Sequence, residues 1–200
     1  MTLDFEGKPG IGLSPFRGRA GFTLVELLLT ISIVAILLAM AVPSMEDAAL
    51  NGKLRSQANA LLATLHLARS EAIKRNGRVV VCKSANGTDC VTSGGWQQGW
   101  IVFYDRNNDG NRAGDTGEVI IESHQALAIG FVLTNSGSVE NLVSFGPSGY
   151  AMSTAGGPLS GQETLKLCRA QPSAVNRGRD ILISPTGRVR INVVEDCPTT

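Results

Sequence analysis

From Phe22 to Val42 the chain is apolar at every position except three hydroxyl residues and one carboxylate, Glu26. At ~1.5 Å per residue a helix of this length roughly matches the ~30 Å hydrocarbon core of a bilayer, so it can span one. Lys8, Arg17 and Arg19 precede the run. The excess of positive charge on that side predicts that the leading residues stay in the cytoplasm and that everything after the run lies outside. A secretory signal carries its small-residue cleavage site after the apolar stretch, whereas here Gly18, Ala20 and Gly21 come before it. The apolar segment is therefore expected to remain in the mature protein.

A carboxylate inside such a segment costs about 2.5–3.5 kcal/mol on insertion scales and normally has a partner. No other charge in the run can serve Glu26. The motif Gly21-Phe22-Thr23-Leu24-Val25-Glu26, the apolar helix and Pro43 together resemble the class III signal of type IV pilins and type II secretion pseudopilins. That resemblance implies cleavage between Gly21 and Phe22 by a prepilin peptidase and N-methylation of the new Phe22 amine. Residues 1–21 are then a cytoplasmic leader and 22–42 the transmembrane and filament-core helix. The Phe22 amine lies one helical turn from Glu26, and the same group on a neighbouring subunit can neutralise Glu26 as helices stack. The alternative is an interfacial Glu that snorkels to the headgroups.

Beyond the apolar run, enough chain remains for one globular domain with a real core. The formal net charge of +1 excludes global polyelectrolyte attraction to nucleic acid, so any such binding must be local. Cys82, Cys90, Cys168 and Cys197 all follow the span, where an oxidising periplasm permits two disulfides. Sequence neighbours pair most simply as Cys82–Cys90 and Cys168–Cys197, although four cysteines allow three connectivities. A metal site or other cofactor is not expected: there is no CxxC, and His66 and His124 are isolated and read as surface or packing residues.

After Pro43, Leu50, Leu54, Ala58, Leu61, Leu65, Ala68 and Ala72 recur at spacings of three and four, which predicts an amphipathic continuation of the helix over 43–77 with Asn76-Gly77 as its stop. Pro43 is expected to bend or loosen the helix. Residues 78–200 read as short strands between Gly- and Ser-rich turns: 78–82, 100–105, 118–122, 129–134, 142–146, 164–168, 180–184 and 188–194. The expected fold class is α+β, a long N-terminal helix whose second half packs on an antiparallel β-rich head. This is also the pilin arrangement.

Gly95-Trp96-Gln97-Gln98-Gly99-Trp100, the strand after it and the turn Asn107-Asn108-Asp109-Gly110 resemble the GspH/FimT branch of these families. The turn from Asp105 to Gly110 also resembles the first half of a calcium loop. Its twelfth position is Thr116 rather than the bidentate Glu required, Glu118 comes two residues late, and a strand precedes it. An Asx-rich hairpin turn is the favoured reading, with no metal.

Between Arg169 and Arg190 stand five arginines and one acid, Asp180, a local charge of +4. Ser184-Pro185-Thr186-Gly187 reads as a hairpin turn. Period two then sends Arg188, Arg190 and Asn192 to one face and Val189, Ile191 and Val193 to the core, with Arg177 and Arg179 near the other strand. Gly187-Arg188-Val189-Arg190 resembles the GRxR motif of DNA-binding FimT proteins that serve natural transformation. The resemblance implies double-stranded DNA contacts at Arg188 and Arg190. The other reading is a solvated strand face that discourages aggregation.

Two functions remain open. One is a minor subunit at or near the tip of a type IV pilus or type II secretion pseudopilus, anchored in the inner membrane with a periplasmic head and partnered by other pilins. The other adds DNA capture. No nucleophile–base pair, phosphate loop or dinucleotide fingerprint suggests an enzyme.

Overall fold

The computed structural model describes residues 21–112, 117–169, 178–195 and 197, without the side chains of 40–44 and 136. The leader ahead of Gly21 and Arg177 lie outside the described residues. The chain divides into two units, Met1–Ser44 and Met45–Thr200.

Helix α1 runs from Leu24 to Arg75. Thr23 is its N-cap: the Thr23 hydroxyl accepts the Glu26 backbone N–H at 3.2 Å and its carbonyl accepts the Leu27 N–H at 3.1 Å. Glu26 in the first turn and Lys74 and Arg75 in the last complement the helix dipole. The helical backbone continues through Pro43, and the division between the two units falls one residue later, between Ser44 and Met45. At the far end Asn76 adopts a left-handed conformation with φ of 50°, and the Gly77 N–H donates to the Ala72 carbonyl at 3.1 Å. The expected stop is thus present, with the asparagine rather than the glycine supplying positive φ.

In the second unit, β1 (Arg78–Lys83), β2 (Trp100–Asp105), β3 (Ile120–His124), β5 (Leu142–Phe145) and β6 (Ala151–Met152) form an antiparallel sheet in the order β3-β2-β1-β5-β6. The strands β4 (Phe131–Ser136), β7 (Glu163–Arg169), β8 (Gly178–Ile183) and β9 (Val189–Val194) form a second antiparallel sheet in the order β4-β7-β8-β9. The stripe from Leu54 to Ala72 is buried among Val79, Val81, Trp100 and Val102 of one sheet and Leu165, Leu167, Ile181 and Ile183 of the other. Each fully buried large apolar side chain contributes about 1.5–3 kcal/mol, so this single helix face joins both sheets. Leu50, at the end of the stripe, is only half-buried.

Alternation along β1 sends Val80 and Cys82 to the other face, where they meet Ile101 and Phe103 in a second apolar cluster. The Cys82–Cys90 disulfide fastens the following loop against that cluster. Cys168–Cys197 ties the C-terminal tail to β7.

Several boundaries differ from those read off the sequence. β3 begins at Ile120 because the Glu118 carboxylate is taken up by the Arg106 N–H at 2.9 Å. Ile129 is fully exposed, and β4 begins only after Gly130, whose φ is 93°. The two-residue β6 is too short to show any periodicity. Val193, expected in the core, is 65% exposed because β9 is the edge of its sheet.

Candidate functional site

Two regions carry the residues singled out by sequence. At the N-terminus, a Cβ built on Gly21 meets nothing within 4 Å among the described residues, and Phe22 is 80% exposed. Glu26 is exposed on the first turn. The hydroxyls of Thr30 and Ser32 donate back to the carbonyls of Leu27 and Leu28 at 2.8 and 2.7 Å, which satisfies them within the helix. Leu24, Leu28, Ile31, Val34, Leu37 and Leu38 are all at least half exposed. A helix that is apolar on every side needs lipid or other helices around it. Among the described residues, no helix is long and apolar enough to cross a membrane. The last part of the run from 22 to 42 lies outside the described side chains. Sequence reading missed the role of Thr23, although Thr-x-x-Glu is the spacing of a capping box.

The second region is the β8–β9 hairpin. The Gly187 N–H donates to the Ser184 carbonyl at 2.9 Å, the Ser184 N–H to the Arg188 carbonyl at 3.0 Å, and the Arg188 N–H to the Ser184 hydroxyl at 3.1 Å. Gly187 has φ of 76°, and a Cβ there would collide with the Gly149 carbonyl oxygen. The hairpin is held from outside as well: the Ala151 N–H donates to the Pro185 carbonyl, and the Arg69 guanidinium on α1 donates to the carbonyls of Gly149 at 2.9 Å and Thr186 at 3.3 Å. Arg69 is therefore a positioning residue, and its place on a distant helix hid this from sequence reasoning.

Beyond this turn Arg188 and Arg190 are exposed, and neither side chain has an ion-pair partner among the described residues. Directly opposed residues in an antiparallel ladder share a face. Arg190 faces Leu182 and Asn192 faces Asp180, so Arg190 and Asn192 stand on the outer face of the sheet. In the next row Lys166 of β7 is opposite Asp180, with their charged groups 3.9 Å apart. Lys166 is a basic neighbour that sequence reasoning missed, although alternation along β7 points it outward.

The other arginines disperse. Arg179, expected beside the pair, is 6% exposed and shares the inward face with Ile181 and Ile183, where it donates to the Gly178 carbonyl at 2.8 Å. It cannot contact a phosphate at the outer face, because one residue of offset along a strand reverses the side-chain direction. Arg169 is paired with Asp47 of α1 at 3.1 Å. Elsewhere on α1, the Arg75 hydrogen bond, followed by the Lys74 contact, holds the Glu71 carboxyl below its ordinary value.

Comparison with known protein families covers the N-terminal region and the hairpin as far as Gly187, short of Arg188 and Arg190. The family model for Type II transport protein GspH matches residues 57–187. The model for the Prokaryotic N-terminal methylation motif matches residues 16–42. Pilin-like protein PilA1 of Thermus thermophilus is 36% identical over 106 residues, covering 53% of this chain and 60% of that relative. The chain thus matches less than two thirds of that relative's length. The solved structure of the type IV minor pilin FimU of Pseudomonas aeruginosa gives a TM-score of 0.50 at 21% identity, covering 71% of this chain and 90% of FimU. That likeness concerns the fold. The minor pseudopilin EpsH from the type 2 secretion system of Vibrio cholerae gives 0.46 at 14% identity, over 70% of this chain and 96% of EpsH.

Proposed function

We propose that this chain, which belongs to the GspH family of type II transport proteins and carries the N-terminal methylation motif, is a minor pilin or pseudopilin subunit that enters its filament through the first half of α1. It is cut between Gly21 and Phe22, anchored in the inner membrane with its head in the periplasm, and added at or near the filament tip. The observation that carries this reading is the apolar surface from Phe22 to Leu38, exposed all round and interrupted by the single carboxylate of Glu26. Packing that surface against neighbouring subunits buries Glu26, which then needs the cationic Phe22 amine of its own or an adjacent chain.

Glu26→Val is expected to leave membrane insertion unchanged and to lower recovery in sheared filaments about tenfold or more. Leaving the buried amine unpaired costs several kcal/mol, and about 1.4 kcal/mol is already a factor of ten. Membrane fractionation and immunoblotting of filaments read both quantities, and wild-type recovery of the variant would refute the role of Glu26.

A second reading is favoured by the exposed pair at the hairpin. Arg188 immediately precedes β9 and Arg190 is its second residue, two positions further on and about 6.7 Å away at ~3.3–3.4 Å per extended residue, with Lys166 on the same sheet face as Arg190. Guanidiniums so placed clamp successive phosphates of double-stranded DNA with little sequence preference. A gel shift with the head from Asn51 to Thr200 should weaken steeply with salt. Arg188→Ala/Arg190→Ala should make the slope shallower, by up to about 0.9 for each phosphate the variant no longer neutralises. The absence of a wild-type shift at low salt would reject DNA capture and leave a purely structural pilin or pseudopilin subunit.

A further inference from the structure

We infer that the head carries a calcium site built from Asp105, Asp109 and Glu118, at the turn that sequence alone reads as an Asx-rich hairpin. Each of the three offers a carboxylate oxygen within 4.8 Å of the others. Oxygens on opposite sides of one calcium ion, each bound at ~2.3–2.6 Å, are separated by about that distance. Glu118 fails the linear spacing of an EF-hand, but it reaches the cluster because its carboxylate is drawn back to the Arg106 N–H at 2.9 Å.

The second observation is a buried oxygen with no hydrogen bond. Asp105 is 1% exposed; its Oδ2 accepts the Gly110 N–H at 3.0 Å and faces Arg78 at 3.3 Å, while Oδ1 has no hydrogen-bond donor among the described residues. A buried carboxylate oxygen left without a donor is costly, and a cation removes that cost. Neighbouring cations are engaged elsewhere than at Oδ1. Arg78 also donates to Ser144 and to the carbonyls of Asn108 and Ser153, and Arg112 donates to the backbone carbonyls of Glu118 and Thr88.

The donor set selects the metal. Carboxylate and carbonyl oxygens suit a hard cation, and the four cysteines that would favour a softer one are in disulfides. Of the three carboxylates only Asp109 is exposed, and with Gly110 and Asn111 it lines an open cleft of about 560 Å³, so the cluster meets solvent on the Asp109 side. Magnesium demands a tighter octahedron and dehydrates reluctantly, so calcium is preferred.

The test uses the full chain in detergent micelles, titrated with calcium chloride by calorimetry and followed by thermal unfolding. Saturable binding is expected in the ~10⁻⁴–10⁻³ M range of extracellular calcium modules, with a rise in melting temperature and a weaker response to magnesium. Asp109→Ala, at an exposed position, should lose the calcium response while melting close to wild type in EDTA. Glu118→Gln, which keeps the side-chain shape, should weaken binding at least about tenfold. No saturable calcium binding by the wild type would overturn the site, as would wild-type affinity in both variants or equal responses to calcium and magnesium.

Discussion

Gly187→Ala is expected to destabilise the head by about 2–5 kcal/mol. A left-handed backbone costs a residue bearing a Cβ roughly 1–2 kcal/mol, and forcing an atom into a filled space adds about 1–3 kcal/mol. Both conditions hold here, since φ is 76° and the new methyl would collide with the Gly149 oxygen and lie 3.0 Å from Arg69 Nε. For a unit of this size each kcal/mol lowers the melting temperature by about 2–4 °C. Gly161→Ala is the control, because nothing lies within 4 Å of its built Cβ and its φ is not positive. It should stay within about 0.5 kcal/mol of wild type. Equal losses in the two variants, by thermal or urea unfolding, would refute the close-approach explanation. Separating the Gly187 turn from Gly149 also displaces Arg188, the next residue of the chain. The glycine of the GRxR-like motif thus has a packing reason that is independent of any ligand.

The other large effect concerns Arg78. Arg78→Leu is expected to cost about 3–5 kcal/mol, the range for removing one partner of a buried ion pair. Arg78 and Asp105 are opposite in the β1–β2 register and almost wholly buried, 3.3 Å apart. Arg78 also donates to the Asn108 carbonyl at 2.9 Å and to the Ser144 hydroxyl at 3.2 Å, bonds that a leucine cannot replace. Most of the loss comes from leaving the Asp105 charge without its counter-ion. Arg78→Leu/Asp105→Asn should therefore be more stable than Arg78→Leu alone, a coupling that a double-mutant cycle measures directly. Additive losses would show that the pair is not coupled.

The elements that could be read from sequence are those with a local signature. The stripe from Leu54 to Ala72 repeats at helical spacing and is the buried face of α1. Strand β2 follows the predicted bounds from Trp100 to Asp105, and the two disulfides join the cysteines nearest in sequence. The candidate site was less legible. Arg179 and Arg190 look equivalent in a basic stretch, yet the β8–β9 register sets them on opposite faces. Val193 continues an apolar alternation but is exposed, because alternation does not reveal which strand is the sheet edge. Arg69 and Lys166 approach the hairpin from elements far along the chain.

By itself the sequence determined the apolar segment with its lone Glu26, the helix stripe, the strand periods and the family membership. These depend on composition and on spacings of a few residues, which the chain states directly. The tertiary structure decided which arginines share a face, which glycine lies against a neighbouring turn, and that Glu118 joins Asp105 and Asp109. Those depend on register and on contacts between distant segments. One residue of register reverses a side chain, and a turn can bring together carboxylates that no linear spacing would pair.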